Sequence, residues 1–380
     1  MRKNSLHIAM IIQDYLPFGG GAERQLASLI PHLKSKGGRI SVVTRKQKDL
    51  PMYEIVDGVT VCRIPLFGSK TIRSLGFIFA STLVLSHWKA DILHAHGLLS
   101  PATAAVWAKK RTKAPVIAKV LRGGCFGDLD RISSKPFGSV RQKWLLSQID
   151  RFLVISQEID SELERIGIPI ERRIRLPNGV DTDRFAPISE QEKIALRAEL
   201  GLPDVPIAVF LGRLSPEKHV DMLIRVWKSL STTLPDSVLL ILGTGEQEED
   251  LKKIADDRVK FVGQTTNVVP YLQASDLFML PSETEGLSNA MLEAMAVGLP
   301  VVVTAVGGAP DVINHKVDGW LIKPMCPEEM SDALQALLLD QGLRQQLGIA
   351  ARKKMVEKFA LPMVAEKLWN NYLELVRGEG

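Results

Sequence analysis

Residues 277–304 read LFMLPSETEGLSNAMLEAMAVGLPVVVT. Two short apolar runs, Leu277 to Leu280 and Val301 to Thr304, flank a stretch in which Ser288 is suited to cap a buried helix. Apolar runs that are continuous, not alternating, belong to parallel strands covered by helices on both faces. The pattern repeats outward along the chain. In the second half, strands are expected at Ile207 to Gly212, Val238 to Leu242, Val259 to Val262 and Trp320 to Ile322. In the first half they are expected at Leu6 to Ile12, Ile40 to Thr44, Val59 to Ile64, Ile92 to His96, Val116 to Leu121 and Phe152 to Ile155. This βα alternation predicts an α/β fold with two Rossmann-like halves.

At 380 residues the chain exceeds the size at which a single core keeps growing. The segment LPNGVDTDRFAP at 176–187 joins the halves, with Asn178-Gly179 a turn signal bracketed by Pro177 and Pro187. The expected division is a first domain over 1–185, a second over 186–360, and a final helix over 361–380 returning to the first. In such sheets ligands bind beyond the carboxyl ends of the strands.

Hydrophobic residues make up 46% and charged residues 24% of the chain, which excludes disordered and fibrous classes. The cysteines Cys62, Cys125 and Cys326 lack metal or disulfide spacing, which fits a reducing cytoplasm. The opening MRKNSLHIAMIIQDYLP is read as the first strand and not a leader, because its apolar run is short and ends at Asp14. The apolar run Leu75 to Leu85 is too short to span a bilayer. Residues 1–185 hold 29 Lys and Arg against 16 Asp and Glu, a net +13, whereas the rest holds 19 against 27, a net −8. The basic half is expected to face something anionic: nucleic acid, an acidic acceptor or the inner face of a membrane. Nucleic acid ranks last, because no aromatic-rich basic motif accompanies the charge.

Four loops carry candidate chemistry. After the first strand comes FGGGAE, Phe18 to Glu23, where Gly20 and Gly21 let a phosphate approach a helix N-terminus. It is not a dinucleotide fingerprint, since Arg24 replaces the third glycine and Thr44-Arg45-Lys46 ends the second strand; NADP would have to use those cations. The loop GRLSPEK places Arg213 and Lys218 beside a helix expected to run from Lys218 to about Leu230, where an anion such as a diphosphate would offset them. Glu285 and Glu293 can each accept two hydrogen bonds from vicinal hydroxyls. His94 and His96 alternate on one strand and share a side, but no third or fourth metal ligand accompanies them, and no metal site is expected. Asp128-Leu-Asp130 and Asp181-Thr-Asp183 spell DxD; the second is read as turn and capping residues.

The run EGLSNAMLEAMA at 285–296 resembles the EGxxNxxLEAMA signature of glycosyltransferase family 4. GGGAER, DILHAHG, LPNGVDTDRF, FLGRLSPEKHVDMLI, LGTGEQEEDLKKIA, VKFVGQTTNVVPYLQASDLFMLPSETEG and GLPVVVTAVGGAPDVI match it in order, so the resemblance spans nearly the whole chain. It implies the GT-B fold, two facing Rossmann-like domains with a cleft between them, and a retaining, metal-independent hexosyltransferase without a cofactor. The expected donor is a nucleotide sugar, a UDP-sugar first. Arg213 and Lys218 would grip its diphosphate, Glu285 its sugar, Glu293 its ribose, and the backbone at Val262, Gly263 and Gln264 its base. Gly20 and Gly21 would approach the phosphates, and His96 the sugar. Gly286, Leu287 and Ser288 complete the donor set; EGLS in place of the common EGFG, and Asp311 in place of a frequent Glu, bear on sugar identity.

The acceptor is expected to be a glycan, a lipid-linked sugar or a small molecule, with Arg122, Gly123 and Gly124 proposed for its pocket. Lys109, Lys110, Arg111 and Lys113 are expected to touch an anionic bilayer, giving a cytoplasmic protein peripheral to the membrane. The competing functions are a sugar-nucleotide epimerase or phosphorylase of the same fold, or a non-catalytic scaffold; Arg213, Lys218, Glu285 and Glu293 together argue against the last.

Overall fold

A computed structural model of the chain describes residues 5–17, 19–124, 127–135 and 138–378; Phe18 and Cys125 lie outside the described residues. The chain divides into two compact units, one of residues 1–178 with 361–380 and the other of residues 179–360.

The first unit runs β1 (Leu6–Ile11), α1 (Gly21–Ser35), β2 (Gly38–Arg45), β3 (Tyr53–Val56), β4 (Val59–Ile64), α2 (Lys70–Trp88), β5 (Ile92–His96), α3 (Ser100–Thr112), β6 (Val116–Val120), α4 (Asp128–Ser133), α5 (Gly138–Gln148), β7 (Arg151–Val154), α6 (Gln157–Arg165) and β8 (Arg173–Arg175). Its strands lie in the order β3-β4-β2-β1-β5-β6-β7-β8, and the β3/β4 pair is an antiparallel hairpin in an otherwise parallel sheet. The six strands expected from apolar runs are present, with ends shifted by a residue or two. β3 and β8 were not foreseen. β3 is a half-exposed edge strand whose side chains alternate in burial. β8 is three residues, two of them arginines; Arg173 is neutralised by Asp160 at 2.9 Å and Glu164 at 3.0 Å. Neither edge needs an apolar run.

The second unit continues α7 (Glu190–Glu199), β9 (Ile207–Leu211), α8 (Val220–Ser229), β10 (Val238–Leu242), α9 (Glu248–Ile254), β11 (Val259–Gly263), α10 (Val269–Ala274), β12 (Leu277–Leu280), α11 (Asn289–Ala296), β13 (Val301–Thr304), α12 (Ala309–Val312), β14 (Trp320–Ile322), α13 (Pro327–Leu339) and α14 (Gln341–Lys354). Its sheet is parallel, in the order β11-β10-β9-β12-β13-β14. The division falls at Asn178/Gly179, before residue 185, and hydrogen bonding explains why. Val180 bridges Ala360, and the Arg352 guanidinium donates to the carbonyls of Thr182 at 2.9 Å, Phe185 at 2.8 Å and Ala296 at 2.7 Å. Asp181 accepts from the N–H of Asp183 at 3.2 Å and of Arg184 at 3.0 Å, so the second DxD is a turn, as its composition suggests.

The last helix, α15 (Leu361–Arg377), belongs to the first unit. Leu361, Val364, Leu368 and Tyr372 join the core formed by Leu26, Leu29 and Leu33 of α1 and Ile8 and Met10 of β1. Burying one such aliphatic side chain contributes about 1.5–3 kcal/mol. The Tyr372 hydroxyl lies 2.7 Å from His94 Nδ1, inside the core. Tyr372→Phe strands that ring nitrogen, and urea titration is expected to show a loss of about 1–3 kcal/mol; an unchanged midpoint contradicts the pairing.

In each sheet the strand order reverses beside one strand: β1 lies between β2 and β5, and β9 between β10 and β12. Loops leaving the carboxyl ends of strands at such a reversal diverge and open a crevice.

Candidate functional site

In the second unit the reversal brings together the loops after β9 and β12. Glu283 N–H donates to the Glu217 carbonyl at 2.9 Å, and Lys218 Nζ forms an ion pair with Glu285. Both side chains are largely covered, 17% and 15% exposed, so the pair is not a solvated surface bridge. Arg213 is exposed on the same loop.

The expected helix from Lys218 is interrupted. Pro216–Lys218 is a single 3-10 turn, and His219 adopts φ 47° before α8 begins. Lys218 therefore stands outside the first turn of α8, and Glu285, not the helix dipole, is what its charge meets.

Ser288 caps α11, its Oγ accepting from Met291 N–H at 3.3 Å. Leu287 is buried, at 6% exposure, so its backbone, not its side chain, is what a ligand could meet. Gly286 accepts from Gly308 N–H at 2.6 Å, which ties the loop after β13 to this one. Glu293 is half-buried on α11. Gly263 ends β11 with φ 79° and open space where a Cβ would stand, while Gln264 is exposed.

The sequence reading assigned no role to Gly243 and Gly245. At Gly243, φ is 132° and a Cβ would lie 1.8 Å from the Gly212 carbonyl oxygen; at Gly245 it would lie 2.1 Å from that of Leu214. Leu214 N–H donates to Thr244 O at 3.0 Å and Gln247 N–H to Leu214 O at 3.1 Å. The GTG loop thus clamps the backbone that carries Arg213. Two glycines one residue apart after an apolar strand were the available signal.

In the first unit, the reversal at β1 and β5 holds a cavity of about 130 Å³ lined by Gln13, Asp14, Glu23, His96, Asp128 and Arg131 among others. Gly20 is the N-cap of α1, and its N–H is taken by the Glu23 carboxylate at 2.7 Å; Gly21 opens the helix. His96 is 4% exposed, its Nε2 has no hydrogen-bond partner among the described residues, and its ring stacks on His94 at 4.3 Å. Burial, then the charges of His94 and Lys119, hold His96 well below the usual histidine range, and burial lowers His94 to about 3. Both rings are neutral at pH 7.

Asp128 is buried and accepts from Leu98 N–H at 3.3 Å and Leu121 N–H at 3.2 Å; burial raises its carboxyl above the usual range. Arg122, Gly123 and Gly124 are not on the cavity wall, and Gly124 N–H is bound to Glu162 at 2.6 Å. Among the described residues no cluster of His, Cys, Asp or Glu is arranged to hold a metal.

Lys119, on β6, is half-buried, lies 2.7 Å from Asn178 Oδ1, and is lowered by burial from 10.5 to about 8. Between these values the unfolded chain binds the proton and the folded chain does not, so stability rises with pH across that window. The charge costs about 3 kcal/mol below pH 8. The gap in urea midpoint between Lys119→Met and wild type is expected to close as pH rises from 8 to 10.5; a constant gap excludes the shift.

A doubly wound pair of parallel-sheet units is the architecture of GT-B glycosyltransferases. Sucrose-phosphate synthase from Thermosynechococcus elongatus superimposes with TM-score 0.83 at 20% identity, covering 98% of this chain and all of that one. An Anabaena protein crystallised with UDP-glucose superimposes with TM-score 0.79 at 19% identity, covering 97% of this chain and 99% of that one. The family model described as Glycosyltransferase Family 4 matches residues 19–184, and that described as Glycosyl transferases group 1 matches residues 192–354. The chain belongs to glycosyltransferase family 4. Over 208 residues it is 34% identical to a GDP-mannose-dependent phosphatidylinositol monomannoside mannosyltransferase of Corynebacterium glutamicum, a match covering 51% of this chain and 54% of that relative, so about half its length.

Proposed function

We propose that this glycosyltransferase moves a hexosyl group, with retention and without a metal, from a nucleotide diphosphate sugar held by the second unit to a hydroxyl acceptor held by the first. The observation that carries the proposal is the covered Lys218–Glu285 pair at the β9/β12 reversal, with Arg213 on the same loop. As the bond from the anomeric carbon to the diphosphate breaks, Arg213 and Lys218 stabilise the charge gathering on the departing oxygens. Glu285, no longer neutralised by Lys218 alone, accepts hydrogen bonds from the sugar. Glu293 takes the ribose, and the backbone at Gly263 and Gln264 meets the base.

The acceptor site is the cavity at the β1/β5 reversal. Its neutral His96 and the carboxylates of Asp14, Glu23 and Asp128 suit sugar or polyol hydroxyls better than a phosphate. The relatives supply two candidate donors, since one is described with UDP-glucose and another as GDP-mannose-dependent. NADP is disfavoured because Arg45, one of the two cations its extra phosphate would use, is ion-paired with Asp14.

Thermal shift against UDP-, GDP- and ADP-sugars and NADP, with and without EDTA, tests the assignment. Stabilisation by one nucleotide sugar, unaffected by EDTA and lost in Glu293→Ala, is expected. Stabilisation by NADP alone, or by none of them, overturns it, and donor turnover without acceptor would identify an epimerase or phosphorylase.

A further inference from the structure

Among the described residues, helix α2 leaves one face without a partner. Phe77, Ile78, Ser81 and Leu85 are buried, and α3 packs alongside, with Ser74 Oγ 2.8 Å from Ser100 Oγ. Ile72, Leu75, Phe79 and Leu83, in contrast, are 60%, 58%, 62% and 41% exposed. Their spacing sets them in one stripe along the helix. Phe67, in the turn before α2, is 81% exposed and lengthens the apolar surface. Scattered exposed apolar residues need no explanation, but a contiguous row marks a contact surface.

The charge around the stripe identifies what it contacts. From Gly58 to Gly127 the chain carries ten Lys and Arg and one acidic residue, Asp91. Lys70 and Arg73 are exposed in the first turn of α2, and Lys110, Arg111 and Lys113 are exposed at the end of α3, as is Trp107 at 39%. Lys109 does not join them: its ammonium is held by Asp150 at 2.7 Å and the Gln148 carbonyl at 3.0 Å. An apolar ridge flanked by exposed cations of α2 and α3 matches an anionic lipid interface, which takes aliphatic and aromatic side chains at the acyl boundary and cations at the headgroups. Among the described residues no helix is long and apolar enough to cross a membrane, so contact would be from one side.

We infer that α2 docks the first unit on an anionic bilayer, with Ile72, Leu75, Phe79 and Leu83 entering the interface and Lys70, Arg73, Lys110, Arg111 and Lys113 meeting the headgroups. This surface involves none of the donor-site residues, so the inference stands or falls apart from the proposed function.

Co-sedimentation of the full chain tests it, using vesicles of equal parts phosphatidylcholine and phosphatidylglycerol and vesicles of phosphatidylcholine alone. Partition onto the mixed vesicles at low salt is expected, weakening as salt rises. Leu75→Glu with Phe79→Glu, and separately Lys110→Glu with Arg111→Glu, are expected to lower it about tenfold or more. These positions are exposed, so the variants are expected to melt with the wild type and to retain its shift with nucleotide sugar. The inference is overturned if the wild type stays in solution, if both vesicle types bind equally, or if the apolar double variant binds as well as wild type. It is also overturned if light scattering shows a dimer that this variant dissolves, since a second copy would then cover the stripe.

Discussion

Lys218→Ala is expected to reduce kcat for sugar transfer by about 100- to 1,000-fold, the effect of removing one well-placed donor to a developing oxyanion. The loss should appear in kcat more than in KM, because charge on the departing diphosphate grows towards the transition state and an interaction with it strengthens there. The substitution also releases Glu285 from its ion pair, so Glu285→Gln and the double variant complete a cycle that separates the two roles. If Lys218 served only to neutralise Glu285, the double variant would recover most of the activity. If it acts on the diphosphate, the double variant stays as slow as Lys218→Ala or slower. Near-normal turnover in Lys218→Ala and Arg213→Ala alike would remove the basis for the donor site.

Gly243→Ala is expected to be the most damaging methyl group in the second unit. The backbone there, at φ 132°, is a region that side chains rarely enter, and the new carbon would stand 1.8 Å from the Gly212 carbonyl oxygen. Strain of about 1–3 kcal/mol and overpacking of a similar size predict a loss of about 2–6 kcal/mol in urea titration. Relief requires moving the 243–245 loop or residues 212–215, which precede the turn carrying Lys218, and either breaks the clamp between them, so surviving protein should bind nucleotide sugar weakly. Gly263→Ala is the control: φ is 79°, but nothing lies within 4 Å of the added carbon, so strain alone applies, about 1–3 kcal/mol. Equal stability of the two variants would show that the clamp between the GTG loop and the β9 loop does not hold.

Both predictions depend on residues that the sequence exposed to different degrees. Lys218 stands out because a cation beside a helix start is unfavourable without an anion, and Glu285 because a carboxylate can accept two hydrogen bonds from vicinal hydroxyls; the resemblance to a known signature marks the same residues. Their pairing with each other was not legible, since it joins positions 67 residues apart through the order of strands. The break at His219 was missed because no glycine or proline announces its left-handed conformation. The role of Gly243 was missed for another reason. A glycine is informative only when its neighbour is known, and its neighbour is the carbonyl of a different loop.

The same distinction runs through the first unit. His94 and His96 share a side of β5 by the period of two alone, and their rings do stack. What makes them neutral is burial, to which α15 contributes at His94, reaching it from a distance of 278 residues through Tyr372. From the sequence the apolar run Leu75 to Leu85 is only too short to span a bilayer; which face of α2 stays uncovered among the described residues is decided by the neighbours packed against it.

By itself the sequence determined most of the local elements, the parallel character of the central strands of both sheets, the two-unit plan and the residue types of the donor loops. Those features follow from periodicity, turn chemistry and the cost of burying charge, which act within a few residues of each other. Tertiary structure alone decided strand order, the Lys218–Glu285 pair, the glycine clamp and the neutral histidines. Each of these depends on which distant groups share a dry environment, because desolvation and close packing act across space and leave no mark on neighbouring positions in the chain.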